Sequence, residues 1–155
     1  MNKTILTGLA ALLLSGCVAL DVTEVSEGPE IEHFAGVAVA GMDLPFSKGV
    51  RVGETIYLAG EIAIDPATNA IVPGGIGPET EQIFQNMAAT LAEFDADLSD
   101  IVKCTVFLGD MSYYAGMNAA YDAALPDPKP ARSTVAVSGL AVGASVEIEC
   151  IAVRR

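Results

Sequence analysis

Apolar side chains recur at two different periods along this chain, and the periods alternate. Over residues 79–96, Ile83, Met87 and Leu91 fall four apart with Phe84, Ala88 and Phe94 beside them, while Gln82, Gln85 and Glu93 lie opposite. That spacing predicts an amphipathic helix with one face in the core. Pro78 suits its first turn, and Glu79 and Glu81 suit the positive end of the helix dipole. A second helical pattern covers 110–125, with Met117, Ala120, Tyr121 and Leu125 on one side, and Asp127-Pro128-Lys129-Pro130 ends it. Runs rich in β-branched residues predict strands: two segments within 50–65, then 101–108, 132–137 and 145–153, the last two joined through the glycine-containing loop 139–143. Gly60, inside the run from Ile56 to Ile64, marks a bulge or a place where another group approaches the backbone closely. Asp65 to Asn69 is turn chemistry. The Gly74, Gly75 and Gly77 cluster has no Lys-Ser or Lys-Thr after it, so it is a plain loop and not a phosphate cradle. The order β-β-α-β-α-β-β predicts an α+β fold, a mixed sheet with two helices on one face. The uncovered face would carry Ile151 and Val153, which points to self-association.

The amino terminus reads differently. Lys3 precedes an apolar run from Thr4 to Leu14, too short to span a bilayer permanently but of signal-peptide length. Leu14-Ser15-Gly16-Cys17 resembles the bacterial lipoprotein box. Residues 1–16 are therefore expected to be a signal peptide, with Cys17 lipidated and the protein held on the periplasmic side of a bacterial membrane. Residues 17–32 follow as an acidic tether, with five acidic side chains between 18 and 32 and no clear period. The folded domain is expected over 33–155, with His33 exposed at its edge.

Composition narrows the chemistry. At 155 residues the chain has room for one domain, and 52% hydrophobic against 18% charged residues excludes wholesale disorder. Twenty acidic against eight basic residues give a net charge of −12, a field that repels phosphate backbones and excludes nucleic acid as an expected partner. One histidine rules out a His-rich metal site and leaves only His33 for any Ser/His/Asp arrangement. Cys104 and Cys150 sit in strand-like runs and read as buried free thiols, with a disulfide open only if the strands adjoin.

The carboxy-terminal third carries the most specific pattern. Pro130-Ala131-Arg132-Ser133-Thr134-Val135, followed by Leu140 and Val146-Glu147-Ile148-Glu149, resembles the RidA (YjgF) family of imine/enamine deaminases. The segments Tyr57-Leu58-Ala59-Gly60-Glu61-Ile62, Gln85-Asn86-Met87, the strand at 101–108 and Met117-Asn118-Ala119-Ala120-Tyr121 agree in order, so the resemblance covers about residues 44–155. It implies a chorismate-mutase-like α+β fold assembled as a homotrimer. Its sheets would form a central barrel, its helices would face outward, and its sites would lie in clefts between subunits. It also implies hydrolysis of a reactive 2-imino acid, in equilibrium with its enamine, to a 2-keto acid and ammonia, with no metal or organic cofactor.

Residue chemistry is consistent with that reaction. A 2-imino acid carries a carboxylate beside its C=N, and a guanidinium such as Arg132 offers that carboxylate parallel donors. Glu147, at the position of the family's carboxylate, is suited to orient water and accept its proton. By resemblance, Asn118 lines the pocket, Gly60 lets its backbone approach the ligand, and the backbone of Thr134 faces the site. The sequence also departs from the family: Phe46 stands where a tyrosine is usual, Ala59 replaces a serine, and Thr134 replaces a cysteine. The pocket should be less polar than usual, with altered substrate preference. The alternative reading is a non-catalytic lipoprotein on the same fold that binds a small carboxylate or a partner protein. A cytosolic location, usual for the family, is the alternative to the lipid anchor.

Overall fold

The computed structural model describes residues 28–36 and 45–155. The expected signal peptide, the lipidation site Cys17 and most of the acidic tether lie outside the described residues.

One six-stranded sheet organises the domain. Its strands are β1 (Ile31–Phe34), β2 (Gly49–Val52), β3 (Thr55–Glu61), β6 (Ile101–Leu108), β7 (Ala131–Ala136) and β8 (Val146–Val153), in the spatial order β1-β2-β3-β8-β6-β7. A small hairpin of β4 (Ile64–Asp65) and β5 (Ala70–Ile71) stands apart, closed by the turn foreseen at Asp65. Two helices, α1 (Ile76–Ala92) and α2 (Tyr114–Ala124), complete the fold. Every pairing in the six-stranded sheet is antiparallel except β6 with β7, which is parallel and takes α2 as its crossover.

The helical pattern at 79–96 is realised from Ile76 and ends at Ala92, after which Asp95 turns the chain at φ 54. The second helical pattern splits. Asp110 accepts a hydrogen bond from the Ser112 N–H and holds Met111–Tyr113 in a 3-10 turn before α2 begins. Two features of the sheet differ from expectation. Strand β1 starts at Ile31, so Ile31 and Glu32 belong to the domain and not to the tether. They are drawn in by pairing with Val52 and Arg51, and the Arg51 guanidinium grips the Glu32 carboxylate. The second is the β4–β5 hairpin, which adds a short strand at Ala70–Ile71, residues to which the sequence pattern assigned no element.

The core lies between the helices and one face of the sheet. Ile83, Phe84, Met87 and Leu91 of α1 and Met117 and Tyr121 of α2 pack on Ile56, Val106, Leu108, Val146, Ile148 and Ala152. Cys104 and Cys150 lie on this face directly opposite each other in the β6–β8 register. They are joined as a disulfide, S–S 2.03 Å, and are not the free thiols expected from sequence. The pairing of 101–108 against 145–153 brings them together, and that pairing is not visible in either run alone. On the opposite face Tyr57, Val135 and Val153 stand exposed.

Candidate functional site

Arg132 sits on β7 in register with Cys104, so its side chain leaves the sheet on the helix-covered face. There it meets a stripe of α2. Tyr114, Asn118 and Tyr121 are spaced to share one side of that helix. The Arg132 Nη2 donates to Asn118 Oδ1 at 2.8 Å and to the Tyr114 hydroxyl at 3.2 Å. Its Cζ lies 4.6 Å from the centre of the Tyr121 ring and 5.7 Å from that of Tyr114, both cation–π distances. Tyr121 is buried and is fixed in turn by an edge-on contact with Phe84 of α1, ring centres 5.2 Å apart. Burial pushes the Tyr121 phenol above its usual range, with the Arg132 charge opposing. Every group holding Arg132 is neutral, and among the described residues no carboxylate pairs with it.

Thr134 follows two positions along β7 on the same face as Arg132. Its hydroxyl oxygen is buried without a hydrogen-bond partner among the described residues.

Glu147 is placed elsewhere. Val146, Ile148, Cys150 and Ala152 of β8 point into the core, so Glu147 and Glu149 project from the other face. A register shift in the β3–β8 pairing, between Leu58 and Glu61, sets Ala59 and Gly60 together across from Glu149. The Glu147 carboxylate folds over this bulge. A Cβ at position 60 would lie 2.1 Å from Glu147 Oε1 and 3.0 Å from its Cδ. Only glycine leaves room for that approach, which is the close contact foreseen from the embedded Gly60. Burial first, then the neighbouring Glu149 and Glu61 charges, hold the Glu147 carboxyl above its usual range. Glu61 turns back to the helix side, where Lys48 pairs with it at 2.7 Å and Asn86 donates to it at 3.1 Å.

The sequence-derived site residues thus separate into two sets. Arg132, Asn118 and Thr134 gather where β7 meets α2; Glu147 and Gly60 gather at the β3–β8 bulge on the opposite face. Within one chain Arg132 and Glu147 do not meet. Phe46 lies exposed ahead of β2 and makes no ring contact with Arg132. The sequence reading missed Tyr114 and Tyr121. Their spacing from Asn118 was visible, but that this helix face looks at Arg132 follows from the way the β6-α2-β7 crossover packs.

Comparison with known proteins places this geometry. Residues 39–154 match the sequence model described as Endoribonuclease L-PSP. The chain is 37% identical over 110 residues to the 2-iminobutanoate/2-iminopropanoate deaminase of Mus musculus, covering 71% of this chain and 82% of that one. It is 43% identical over 108 residues to a RutC family protein of Pyrococcus abyssi, covering 70% of this chain and 85% of the relative. Among solved structures, RidA from an Antarctic Psychrobacter superposes with a TM-score of 0.70 at 36% identity, covering 79% of this chain and 97% of that one. Yeast Mmf1 superposes with a TM-score of 0.74 at 33% identity, covering 81% and 100%.

Proposed function

The chain belongs to the RidA (YjgF) family, matched by the Endoribonuclease L-PSP model, and on that footing we propose that it hydrolyses a reactive 2-imino acid to a 2-keto acid and ammonia. The observation that carries the proposal is the state of Arg132. In a chain of 20 acidic and 8 basic residues, this guanidinium is held by a phenol, an amide and two aromatic rings, with its charge uncompensated. Such a group is prepared for an anion supplied from outside, and a planar carboxylate fits its donors.

With the carboxylate on Arg132, the protonated imine carbon is already electrophilic, and orientation of water supplies much of the acceleration. Water oxygen bonds to that carbon as one of its protons passes to the Glu147 carboxylate. Glu147 returns this proton to the amine nitrogen, the C–N bond breaks, and the remaining hydroxyl proton passes to the departing ammonia as the carbonyl forms. The balance is one iminium and one water to one keto acid and one ammonium. A carboxyl held above its usual range is suited to both halves of this exchange.

Arg132 and Glu147 leave opposite faces of the sheet, so this mechanism requires a second copy of the chain to complete each site. In our reading the copies form a homotrimer through the uncovered face, where Tyr57, Val135 and Val153 are exposed. In the same reading the protein sits on the periplasmic side of a bacterial membrane, lipid-anchored at Cys17, a reading supported by the Leu14-Ser15-Gly16-Cys17 motif. The Cys104–Cys150 disulfide supports an oxidising compartment independently of that motif.

The test supplies 2-imino acid continuously from an amino-acid oxidase and follows its decay and ammonia release. The protein should accelerate both above the spontaneous rate, and Arg132→Ala should lower kcat/KM by about 100-fold or more through loss of charge-assisted hydrogen bonds. A folded protein that gives no acceleration, yet binds a keto acid, would be the non-catalytic carboxylate binder.

A further inference from the structure

The donors of Arg132 are not equally free. A guanidinium carries five N–H groups, and both on Nη2 are engaged, one by Asn118 Oδ1 at 2.8 Å and one by the Tyr114 hydroxyl at 3.2 Å. The donors on Nη1 and Nε remain for a ligand. A phenol oxygen that accepts a hydrogen bond keeps its own O–H to donate. Among the described residues nothing accepts the Tyr114 hydroxyl hydrogen, and Tyr114 is 40% exposed at the start of α2. A carboxylate oxygen accepting from Nη1 would sit on the nitrogen next to Nη2, the atom that donates to this hydroxyl.

We infer that Tyr114 is a substrate-binding residue, donating its hydroxyl hydrogen to the same carboxylate that Arg132 holds. This rests on the proposed 2-imino acid reading and extends it. Of the two phenols stacked on Arg132, Tyr121 is buried in the core, so the exposed Tyr114 is the one a ligand can reach. The carboxylate keeps its charge throughout the reaction, so the contact is equal in ground and transition states. Its loss therefore appears in KM and in ligand affinity, not in kcat.

Tyr114→Phe keeps the ring and the helix and removes only the hydroxyl. We expect its KM for the imino acid to rise about 10-fold with kcat within about 3-fold of the parent, since a hydrogen bond to a charged group is removed. Pyruvate binding, followed by calorimetry on the parent and variant, should weaken by the same factor. Pyruvamide, which lacks the carboxylate, should bind both proteins alike. Equal pyruvate affinity in the two proteins would overturn the assignment while leaving the proposed activity standing. Equal weakening toward pyruvamide would overturn it in favour of a purely positioning role for Tyr114. A parent protein that neither binds pyruvate nor turns over the imino acid would remove the proposed function itself, and this assignment with it.

Discussion

Replacing Gly60 with alanine tests whether Glu147 works where the structure puts it. The new Cβ would fall 2.1 Å from Glu147 Oε1 and 3.3 Å from its Cγ, whereas ordinary contacts begin at 3.4 Å. The difference between 3.4 and 2.1 Å obliges the carboxylate oxygen to retreat by about 1.3 Å. Glu147 is only partly buried, so it can swing away by changing rotamer at roughly 0.5–1.5 kcal/mol. The loss of glycine's freedom in the unfolded chain returns about 0.4–1 kcal/mol. Folding stability should therefore stay within about 1 kcal/mol of the parent by urea denaturation. Activity should not. A displacement of about 1 Å at a reacting group costs on the order of 100-fold, so Gly60→Ala should lower kcat by about that factor with KM little changed. The assay is ammonia release from an imino acid formed in situ. Because both substitutions act on one carboxylate, Gly60→Ala combined with Glu147→Gln should be no slower than Glu147→Gln alone. A folded Gly60→Ala protein retaining kcat within about 3-fold of the parent would refute the placement of Glu147 in the reaction.

The raised Glu147 carboxyl makes a pH statement. As a base it must be ionised, so activity should fall on acidification through a range above the usual carboxylate value of 4.5, and Glu147→Gln should abolish this limb of the pH–rate profile. The sign for stability is opposite to that of a paired carboxylate. The folded state disfavours the charged form, so the parent should gain stability relative to Glu147→Gln as pH falls through that range, measured by thermal midpoints from neutral to pH 4 or so. Glu79, buried at the start of α1, accepts from the Ser145 backbone N–H at 2.8 Å and from its hydroxyl at 2.6 Å, so it ties the residue leading into β8 to the helix. Glu79→Ala should cost about 3 kcal/mol by chemical denaturation, since it strands two donors. Cys104 and Cys150 should resist alkylation in the denatured, unreduced protein. Replacing both with alanine should remove up to about 4 kcal/mol of stability, the chain-entropy value for a 46-residue separation.

Local pattern was sufficient for much of the fold. The four-residue recurrence of Ile83, Met87 and Leu91 predicts α1 because these side chains are the ones the sheet buries, and the alternation in 145–153 assigns Glu147 and Glu149 to the face opposite Ile148. Gly60 was legible as a close-approach position, although the sequence did not show that the approaching group is Glu147. Pairing was not legible. Strand β1 is four residues long and has no distinctive period; Ile31–Val52 and Glu32–Arg51 pairing makes it a strand. The Cys104–Cys150 disulfide needs the β6–β8 register, and the stacking of Tyr121 under Arg132 needs the crossover of α2. Each of these depends on residues far apart in the chain, which periodicity within one segment cannot report.

The distribution of positive charge favours a small anion over a polymer as the proposed ligand of Arg132. Of the eight basic residues, Lys3 lies outside the described part. Lys48 pairs with Glu61, Arg51 with Glu32, Lys129 with Asp122, Arg154 with Glu54 and Arg155 with Asp100. Among the described residues this leaves Lys103 and Arg132. They cannot form a stripe. Lys103 donates to Ser133, whose side chain points from β7 to the face opposite Arg132. An RNA strand is held by neutralising several consecutive phosphates, and each loss of a contact lowers affinity and its salt dependence together. A single unpaired guanidinium in a chain of net charge −12 offers one such contact and repulsion beyond it. That arrangement favours a ligand whose charge is concentrated in one carboxylate, small enough to enter beside α2 without bringing further negative charge against the acidic surface.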